Sequence, residues 1–482
     1  MNLKIILKII GFLLILNGLA MLTSLAFSIY YNSNDISAIL ISGIGTALLG
    51  IIFWFSIKTD TDDDISKRDG YLIVTLGWIA SSIVGTLPFI IHGSIPSFTD
   101  AFFETMSGFT TTGATILKDI EVVPPGLLYW RSMTHWLGGM GIIVLSLAIL
   151  PILGIGGMQL FQAEVAGPSK DKIHPRVTET AKRLWGIYLI LTVAQVILLL
   201  LGNMNLLDAI CHSFGTLATG GFSTKNASVA YYKSEYIEYV IIIFMFLSGT
   251  NFTLHYFALK GKVFNYFKDD EFRFYGIFVL LIVTATAIYL IIHNSQTTES
   301  AFRDSAFSII SILSSTGFVT VNYEGWAKFF PEIFLILLLI GACAGSTSGG
   351  VKIIRYELLI RNSLIELKKL IHPKAVIPVR HNGKAVSNEI ISKIAAFVML
   401  YMIIFIVASI SLSVIGLDLQ SSMGAVAACL ANIGPGLGST GPMTNFSEVP
   451  ILGKWILSIV MLLGRLELFT ILVLFSPTFW KN

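Results

Sequence analysis

Four short polar stretches of this chain combine threonine, serine, asparagine and glycine in a way that could bind a cation. The first, TMSGFTTTGAT, runs from 105 to 115 in a chain whose residues are 54% hydrophobic. At membrane depth, irregular polar backbone is tolerated only where it is buried in protein or lines water. Carbonyl and hydroxyl oxygens in such a place can replace the hydration shell of an ion. The chemistry that these residues indicate is ion coordination.

This polar stretch is one of four that share a spacing. The four sequences, DAFFETMSGFTTTGAT, DAICHSFGTLATGGFS, DSAFSIISILSSTGFV and SSMGAVAACLANIGPG, begin at residues 100, 208, 304 and 421. A single glycine after an apolar helix is an ordinary helix end. Four glycines at one position in the unit, each between apolar spans, instead indicate an internal repeat. Thirteen positions after the four starts stand Gly113, Gly221, Gly317 and Gly434.

The apolar residues before each glycine predict a short helix that enters the membrane and returns. About ten residues make a helix of about 15 Å, half of a hydrocarbon core. We expect Asp100, Asp208 and Asp304 to cap three of these helices, and Ser421, a weaker cap, to begin the fourth. The negative C-terminal ends would then converge and favour a cation. The predicted ion-binding residues, a selectivity filter, are Thr111, Thr112, Gly113, Thr219, Gly220, Gly221, Ser315, Thr316, Gly317, Asn432, Ile433 and Gly434.

The rest of the chain predicts the membrane that these helices require. Only 13% of its 482 residues are charged and its mean hydropathy is +0.78, whereas soluble domains carry about 25% charged residues. A net charge of +3 gives no sign of a nucleic-acid partner. Ten apolar runs are long enough to cross a bilayer. They lie near 5–30, 37–57, 70–91, 126–152, 184–203, 237–259, 274–293, 330–355, 394–416 and 450–475.

The lysines and arginines predict the orientation and the domain order. With a cytoplasmic N-terminus, inside segments hold 24 of them and outside segments hold seven. By the positive-inside tendency, both termini are expected to face the cytoplasm. We expect a fold of ten transmembrane helices, all α, with four pseudo-symmetric repeats after two extra helices. The expected units are 1–69 (two leading helices), 70–182, 183–272, 273–392 and 393–482 (repeats 1 to 4).

A polar segment outside the four loops, GACAGSTSGG at 341–350, interrupts the last span of the third repeat. It could be a close helix packing surface of small residues. So many weak helix formers instead favour an unwound, mobile stretch below the filter. Arg465, a charge within the last span, would be a barrier beside the ion path, half of a salt bridge with Glu467 or Glu104, or both. The predicted gate residues are Gly345, Ser346, Ser348, Gly349 and Arg465.

The segment order and the loops FTTTGAT, LATGGFS, LSSTGFV and LANIGPGLG resemble the TrkH, KtrB and HKT superfamily of potassium transporters. HWLGGMGIIVL, GGMQLFQAEVAGPSKDK, GACAGSTSGGVKIIR and the two leading spans are similar to the TrkH branch in particular. The resemblance implies four fused channel-like pore units, a homodimer with one pore in each chain, and a cytoplasmic TrkA-type ring of nucleotide-binding regulatory domains. It also implies potassium uptake across the bacterial inner membrane, an intramembrane gating loop and no organic cofactor on this chain.

The loops also depart from those of potassium channels. A channel filter such as TVGYG stacks several carbonyl rings, whereas each loop here has one glycine at the common position. Fewer sites predict looser discrimination among K⁺, Rb⁺ and Na⁺. The fourth loop places Pro435 directly after its glycine, so a match to the geometry of the others is least expected there.

The sequence is also compatible with two other functions. Coupled symport of K⁺ with H⁺ or Na⁺ would need carboxylates at the midplane, and few occur beyond Glu104 and Glu467. An intramembrane enzyme would need a nucleophile, a base and an orienting group at recognisable spacing, which the sequence lacks. His135 and His212 are each expected to make one hydrogen bond in a helix rather than carry protons. Nine cations between residues 352 and 393 could bind anionic lipid or dock the regulatory ring.

Overall fold

The described part of the chain is mostly helical. The computed structural model describes residues 3–57, 66–144 and 173–481. In that part of the chain six helices are long and apolar enough to cross a membrane, or eight if two bent pairs count as spans. This confirms an all-α membrane protein and is consistent with ten crossings. The six are Leu3–Thr23 with Leu25–Tyr30, Ile36–Ser56, Lys67–Gly85 with Leu87–His92, Ile173–Leu201, Asp270–Asn294 and Asn388–Ile415. Two further long helices, which are not among these six, are Pro125–Val144 and Ile353–Ile371.

Four short helices lie where the repeat predicts them. Each has 12 to 16 residues, too few to cross a core of about 30 Å at about 1.5 Å per residue. We number them short helices 1 to 4: Phe98–Phe109, Leu206–Leu217, Thr298–Leu313 and Leu419–Leu430. The segments that follow them are called loops 1 to 4: residues 110–115, 218–223, 314–319 and 431–436.

Three of the predicted spans are broken rather than straight. Helices Glu235–Ser248 and Phe252–Leu259 meet at 103°, and Ile451–Arg465 and Phe469–Phe475 meet at 110°. The third break separates Phe330–Leu338 from Ile353–Ile371 and contains the predicted interruption at 341–350. Asn251 explains the first break, because its side chain caps the second helix by accepting the Thr253 N–H at 2.9 Å.

The remaining elements are small. An antiparallel hairpin pairs Arg380–His381 with Lys384–Ala385, in the stretch predicted to be cytoplasmic. Of the single-turn helices, Asn265–Lys268 precedes the long helix Asp270–Asn294, and Pro477–Trp480 lies near the C-terminus. Segment 156–172, which carries part of the family resemblance, lies outside the described residues.

The N-termini of the four short helices differ from the prediction. In each, the capping side chain accepts a hydrogen bond from the backbone N–H three residues later, at 2.8–3.4 Å. This satisfies one of the amide groups that a helix start leaves unpaired. The capping residues are Ser97, Asn205, Thr297 and Asp418.

The predicted caps are therefore wrong. Asp100, Asp208 and Ser421 stand at the third helical position and donate their N–H groups to the true caps. Asp304 lies in the second turn, because short helix 3 begins about one turn earlier than the others. The fourth repeat is not weakly capped either, since it has Asp418.

We expect Asp418→Ala to lower the melting temperature of the detergent-purified protein. Loss of this cap should cost ~1 kcal/mol, or about 1–2 °C in a chain of this size. Asp304→Ala is the matched control, because among the described residues Asp304 accepts only a 3.4 Å hydrogen bond from Gln296. Equal shifts for the two variants would contradict the assignment of the cap to Asp418.

Candidate functional site

The four loops meet in a closed ring. A Cβ atom added to Gly113 would lie 2.0 Å from the carbonyl oxygen of Gly220, so loop 1 faces loop 2. The corresponding neighbour of Gly221 is the Thr316 carbonyl oxygen at 2.0 Å, and that of Gly317 is the Ile433 carbonyl oxygen at 1.7 Å. Loop 4 closes the circle. Here, a Cβ on Gly434 would lie 2.8 Å from the carbonyl oxygen of Thr112.

The backbone of the ring is the same in all four loops. In each, the N–H of the residue before the glycine donates to the carbonyl five residues earlier, at 2.7–2.9 Å. The N–H of the residue before that donates three residues back, which completes a Schellman helix end. Each glycine itself has a positive φ between 76° and 98°. The ring therefore repeats one backbone geometry around a pseudo-fourfold axis.

Four non-glycine residues also adopt the left-handed conformation in this ring. A Schellman motif normally has glycine at this position, and another residue costs about 1–2 kcal/mol there. Such strain persists where a site needs the side chain or the backbone geometry. The four residues, with φ of 52°, 55°, 60° and 55°, are Thr111, Thr219, Ser315 and Asn432.

Three of these side chains have a buried oxygen with no hydrogen-bond partner among the described residues. They are the hydroxyls of Thr111 and Ser315 and the amide oxygen of Asn432. The Thr219 hydroxyl instead donates to the carbonyl of Ala218 at 2.6 Å. Buried polar atoms are rarely left unpaired. A ring of carbonyls with such oxygens suits a dehydrated cation, which needs oxygen ligands.

One cavity opens on the side of the ring where the chain leaves the glycines. All four glycines line it, together with Arg131, Phe222 and Phe446. The charge pattern predicts that this side faces outward. The predicted filter residues are therefore brought together around one axis, with a mouth on one side.

The segment 341–350 lies on the opposite side of the ring, where the short helices end. The Thr347 hydroxyl donates to the carbonyl of Leu217, the last residue of short helix 2, at 2.9 Å. A Cβ on Gly349 would lie 2.3 Å from the carbonyl oxygen of Ala431 in loop 4. The segment therefore touches two of the four helix ends. We call residues 341–350 the intramembrane loop.

Of the other predicted gate residues, Ser346, Ser348 and Gly349 are buried in the intramembrane loop, whereas Gly345 is exposed. The Ser346 hydroxyl donates to the Cys343 carbonyl at 2.6 Å and lies 3.0 Å from the Ser348 hydroxyl. Lys352 donates to the hydroxyl of Ser348 at 3.1 Å and also to its carbonyl. Gly345 has a φ of 71°, and its carbonyl accepts the Phe252 N–H at 3.0 Å. The loop is thus held by specific hydrogen bonds and not by helix packing.

Sequence reasoning missed Thr347 and Lys352. Thr347 lies in the predicted loop, and its contact with Leu217 joins residues 130 positions apart. Lys352 could have been found as a cation directly after an intramembrane glycine cluster.

Arg465 has neither of the carboxylate partners considered from the sequence. Its guanidinium donates to the carbonyls of Thr347 at 2.9 Å and Gly138 at 3.3 Å, and its residue is only 2% exposed. Glu467 pairs with Arg355 at 2.6 Å, and Glu104 pairs with Arg131 at 2.7 Å. The salt-bridge alternative is wrong because the helix ends at Arg465, and positive φ values at 467 and 468 turn the chain away.

His135 and His212 both form hydrogen bonds with residues of loop 2. Nδ1 of His135 accepts the Phe222 N–H at 3.4 Å, and the two rings stack with centres 4.0 Å apart. His212 makes two hydrogen bonds rather than the one expected, to the Asp208 carbonyl at 2.8 Å and the Ser223 hydroxyl at 2.9 Å. Both residues support the loops from behind.

Comparison with known proteins connects this geometry to one family. The family described as "TrkH: Cation transport protein" matches residues 35–482. The Trk system potassium uptake protein TrkH of Vibrio parahaemolyticus is 41% identical, and that of Escherichia coli K12 is 42% identical, each over the full length of both chains. TrkG of Escherichia coli K12 is 34% identical over 100% of this chain and 99% of its own. All three are named as transport proteins and not as enzymes, as the sequence predicts.

The fold is also that of a solved structure. The crystal structure of the potassium transporter TrkH from Vibrio parahaemolyticus superposes with a TM-score of 0.91 at 39% identity, covering 100% of both chains.

Proposed function

This chain belongs to the TrkH family of cation transport proteins, and from that membership we propose that it takes up potassium ions across the bacterial cytoplasmic membrane. The pore runs through the centre of the ring of four loops. The observation that carries the proposal is the closed ring, in which each loop's glycine faces the backbone carbonyl of the next. Potassium is the transported substrate.

The ring residues act as a selectivity filter in this proposal. Carbonyl oxygens substitute for the water that a permeating ion sheds. The hydroxyls of Thr111 and Ser315 and the amide of Asn432 add oxygens with no other partner among the described residues. With one glycine per loop at the common position, the filter has fewer sites than a potassium channel, so Na⁺ is excluded less strictly.

The intramembrane loop acts as the gate. Its contacts with the end of short helix 2 and with loop 4 support a position across the ion path on the inner side. Arg465 brings a buried positive charge to the same place by binding the Thr347 carbonyl. When the loop is closed, its volume and the positive charge of Arg465 would both oppose the passage of a cation.

A cytoplasmic regulatory subunit would reach this gate through the hairpin at 380–385. The backbone N–H of Asn382 donates to Asp270 at 2.9 Å, and the next residue, Glu271, accepts the N–H of Ala344 in the intramembrane loop at 2.6 Å. The hairpin is thus two hydrogen bonds away from the gate. The family membership supports a homodimer that carries a TrkA-type ring on this face, near the nine cations of 352–393.

Coupling to protons by Glu104 or Glu467 has no support in this geometry. Each carboxylate forms an ion pair with an arginine, at 2.7 and 2.6 Å. Both carboxylates are thus already engaged by arginines of this chain.

Flux into liposomes tests the proposal. We expect the reconstituted chain to take up K⁺ down its own gradient, faster than Na⁺, and to continue when a protonophore collapses the proton gradient. Addition of the regulatory subunit should change the rate but not the K⁺/Na⁺ ratio. Absence of K⁺ flux would refute the pore, and uptake that stops with the protonophore or requires Na⁺ would replace it with symport.

A further inference from the structure

An ion pair lies buried beside the ring, between loops 1 and 2, and its Arg131 also lines the cavity at the mouth. Arg131 Nε and Glu104 Oε1 are 2.7 Å apart, and the two side chains are only 2% and 1% exposed. Moving two charges out of water carries a desolvation cost that a buried pair recovers only with good geometry and further hydrogen bonds. Apolar side chains would fill this space at a lower desolvation cost. The contacts of the pair therefore indicate its role.

Glu104 joins short helix 1 to the chain leaving loop 1. Its carboxylate accepts the Thr115 hydroxyl at 2.9 Å and the Ile116 N–H at 2.9 Å. Thr115 is two residues after the filter glycine Gly113. The carboxylate thereby holds the outgoing backbone of loop 1 against the helix that supports it.

Arg131 extends the connection to loop 2. Its guanidinium donates to the Ser223 carbonyl at 2.9 Å and lies over the Phe222 ring, 3.6 Å from its centre. Ser223 is two residues after Gly221, the position equivalent to Thr115 in loop 1. Its hydroxyl is within 2.9 Å of His212, which stands at the position equivalent to Glu104. One network of hydrogen bonds thus holds the backbone that leaves both loops.

Repeats 3 and 4 are built differently at these positions. The residues equivalent to Glu104 and His212 are Ser308 and Ala425. A serine is too short, and an alanine too apolar, to hold the backbone leaving its loop in the same way. Neither residue therefore anchors its loop as Glu104 does, and the chain leaving loop 4 is held from another position, by Glu324, which accepts the Gly438 N–H at 2.9 Å.

We propose that Glu104 and Arg131 are positioning residues for selectivity: together they fix the separation of loops 1 and 2 and so set the size of the ring that K⁺ must fit. The inference rests on the proposed function, because it assigns a role within that same filter. A ring held at one size discriminates by ion radius, whereas a loosened half can collapse around the smaller Na⁺.

The double variant Glu104→Gln with Arg131→Gln tests the proposal. Removing both charges together avoids leaving one buried charge unpaired, which would endanger folding. We expect the K⁺/Na⁺ flux ratio in liposomes to fall about fivefold, equivalent to ~1 kcal/mol of differential ion binding. The ratio is independent of how much protein is active, so a lower yield alone would leave it unchanged.

The matched control is Lys118→Gln with Glu448→Gln. This pair has the same 2.7 Å separation, but its side chains are 71% and 81% exposed. It should leave the ratio at the wild-type value. Thr115→Val provides a second test that creates no unpaired charge, and should lower the ratio about twofold.

The outcomes separate this inference from the proposed function. A wild type that conducts K⁺ selectively, with a ratio that survives both the double variant and Thr115→Val, overturns the inference alone. If the double variant does not fold, Thr115→Val decides. A wild type without K⁺ flux instead refutes the proposed function.

Discussion

Gly113→Ser is expected to reduce K⁺ flux about a hundredfold, the factor that ~2.7 kcal/mol produces. The new Cβ would lie 2.0 Å from the Gly220 carbonyl oxygen, a contact that no side chain can make without moving backbone. Gly113 also has a φ of 84°, which disfavours serine by itself. Because the displaced carbonyl belongs to the ring, the substitution changes the filter directly.

The residual flux should also be less selective. Moving one carbonyl changes the number and distance of the oxygens that replace the hydration shell. We therefore expect the K⁺/Na⁺ ratio of this variant to approach one. Paired K⁺ and Na⁺ uptake, normalised to reconstituted protein, measures both effects together.

Gly93→Ser is the control for backbone strain. Gly93 has nearly the same φ, 82°, but a Cβ there would meet no atom within 4 Å. This variant should carry the conformational cost and keep its flux. If Gly113→Ser retained the wild-type flux and ratio, loop 1 would not be part of the ion path.

The repeat could be predicted from the sequence because its signals are local. Helix length follows from the apolar run, and the need for glycine follows from a positive φ at one position. Thus the common position of Gly113, Gly221, Gly317 and Gly434 predicted loops that the structure does bring into one ring. The interruption at 341–350 was equally visible, since many weak helix formers stand together.

The helix starts were harder to place. A cap and the residue three positions later are both polar, so Ser97 and Asp100 are equally good candidates from the sequence. Asp418 shows the same ambiguity, three residues before Ser421. Alignment of the repeats could not resolve it, because short helix 3 begins one turn earlier than the others.

Pairings between distant repeats could not be predicted at all. Arg465 contacts the carbonyl of Gly138, which is 327 residues away, and sequence reasoning searched only for opposite charges. Backbone carbonyls are present at every residue and leave no compositional signal. The partners of Arg465 depend on how repeats 1, 3 and 4 pack around the axis.

Arg465→Met is expected to increase K⁺ flux about tenfold in liposomes that contain no regulatory subunit. A unit charge at ~10 Å and an effective dielectric of 20 costs a passing cation ~1.7 kcal/mol, or slightly more than a factor of ten. The substitution also removes the hydrogen bond to Thr347 that helps to hold the intramembrane loop in place. Both effects favour conduction.

The protein should tolerate this change because no carboxylate depends on Arg465. Among the described residues its acceptors are the two carbonyls, and it forms no ion pair. Methionine fills much of the same volume with an adaptable apolar chain. Arg465→Lys keeps the charge but cannot reach both carbonyls, so its flux should lie between those of the wild type and Arg465→Met.

Lys454→Met separates the effect on the gate from the loss of any buried cation. Lys454 lies in the same helix as Arg465 but at the opposite end, where it pairs with Asp100 at 2.7 Å. Its loss should not raise flux, because the intramembrane loop remains fixed. If folded Arg465→Met conducted no faster than the wild type, the arginine would be a packing residue, and the barrier to K⁺ would have to be sought in the loop backbone alone.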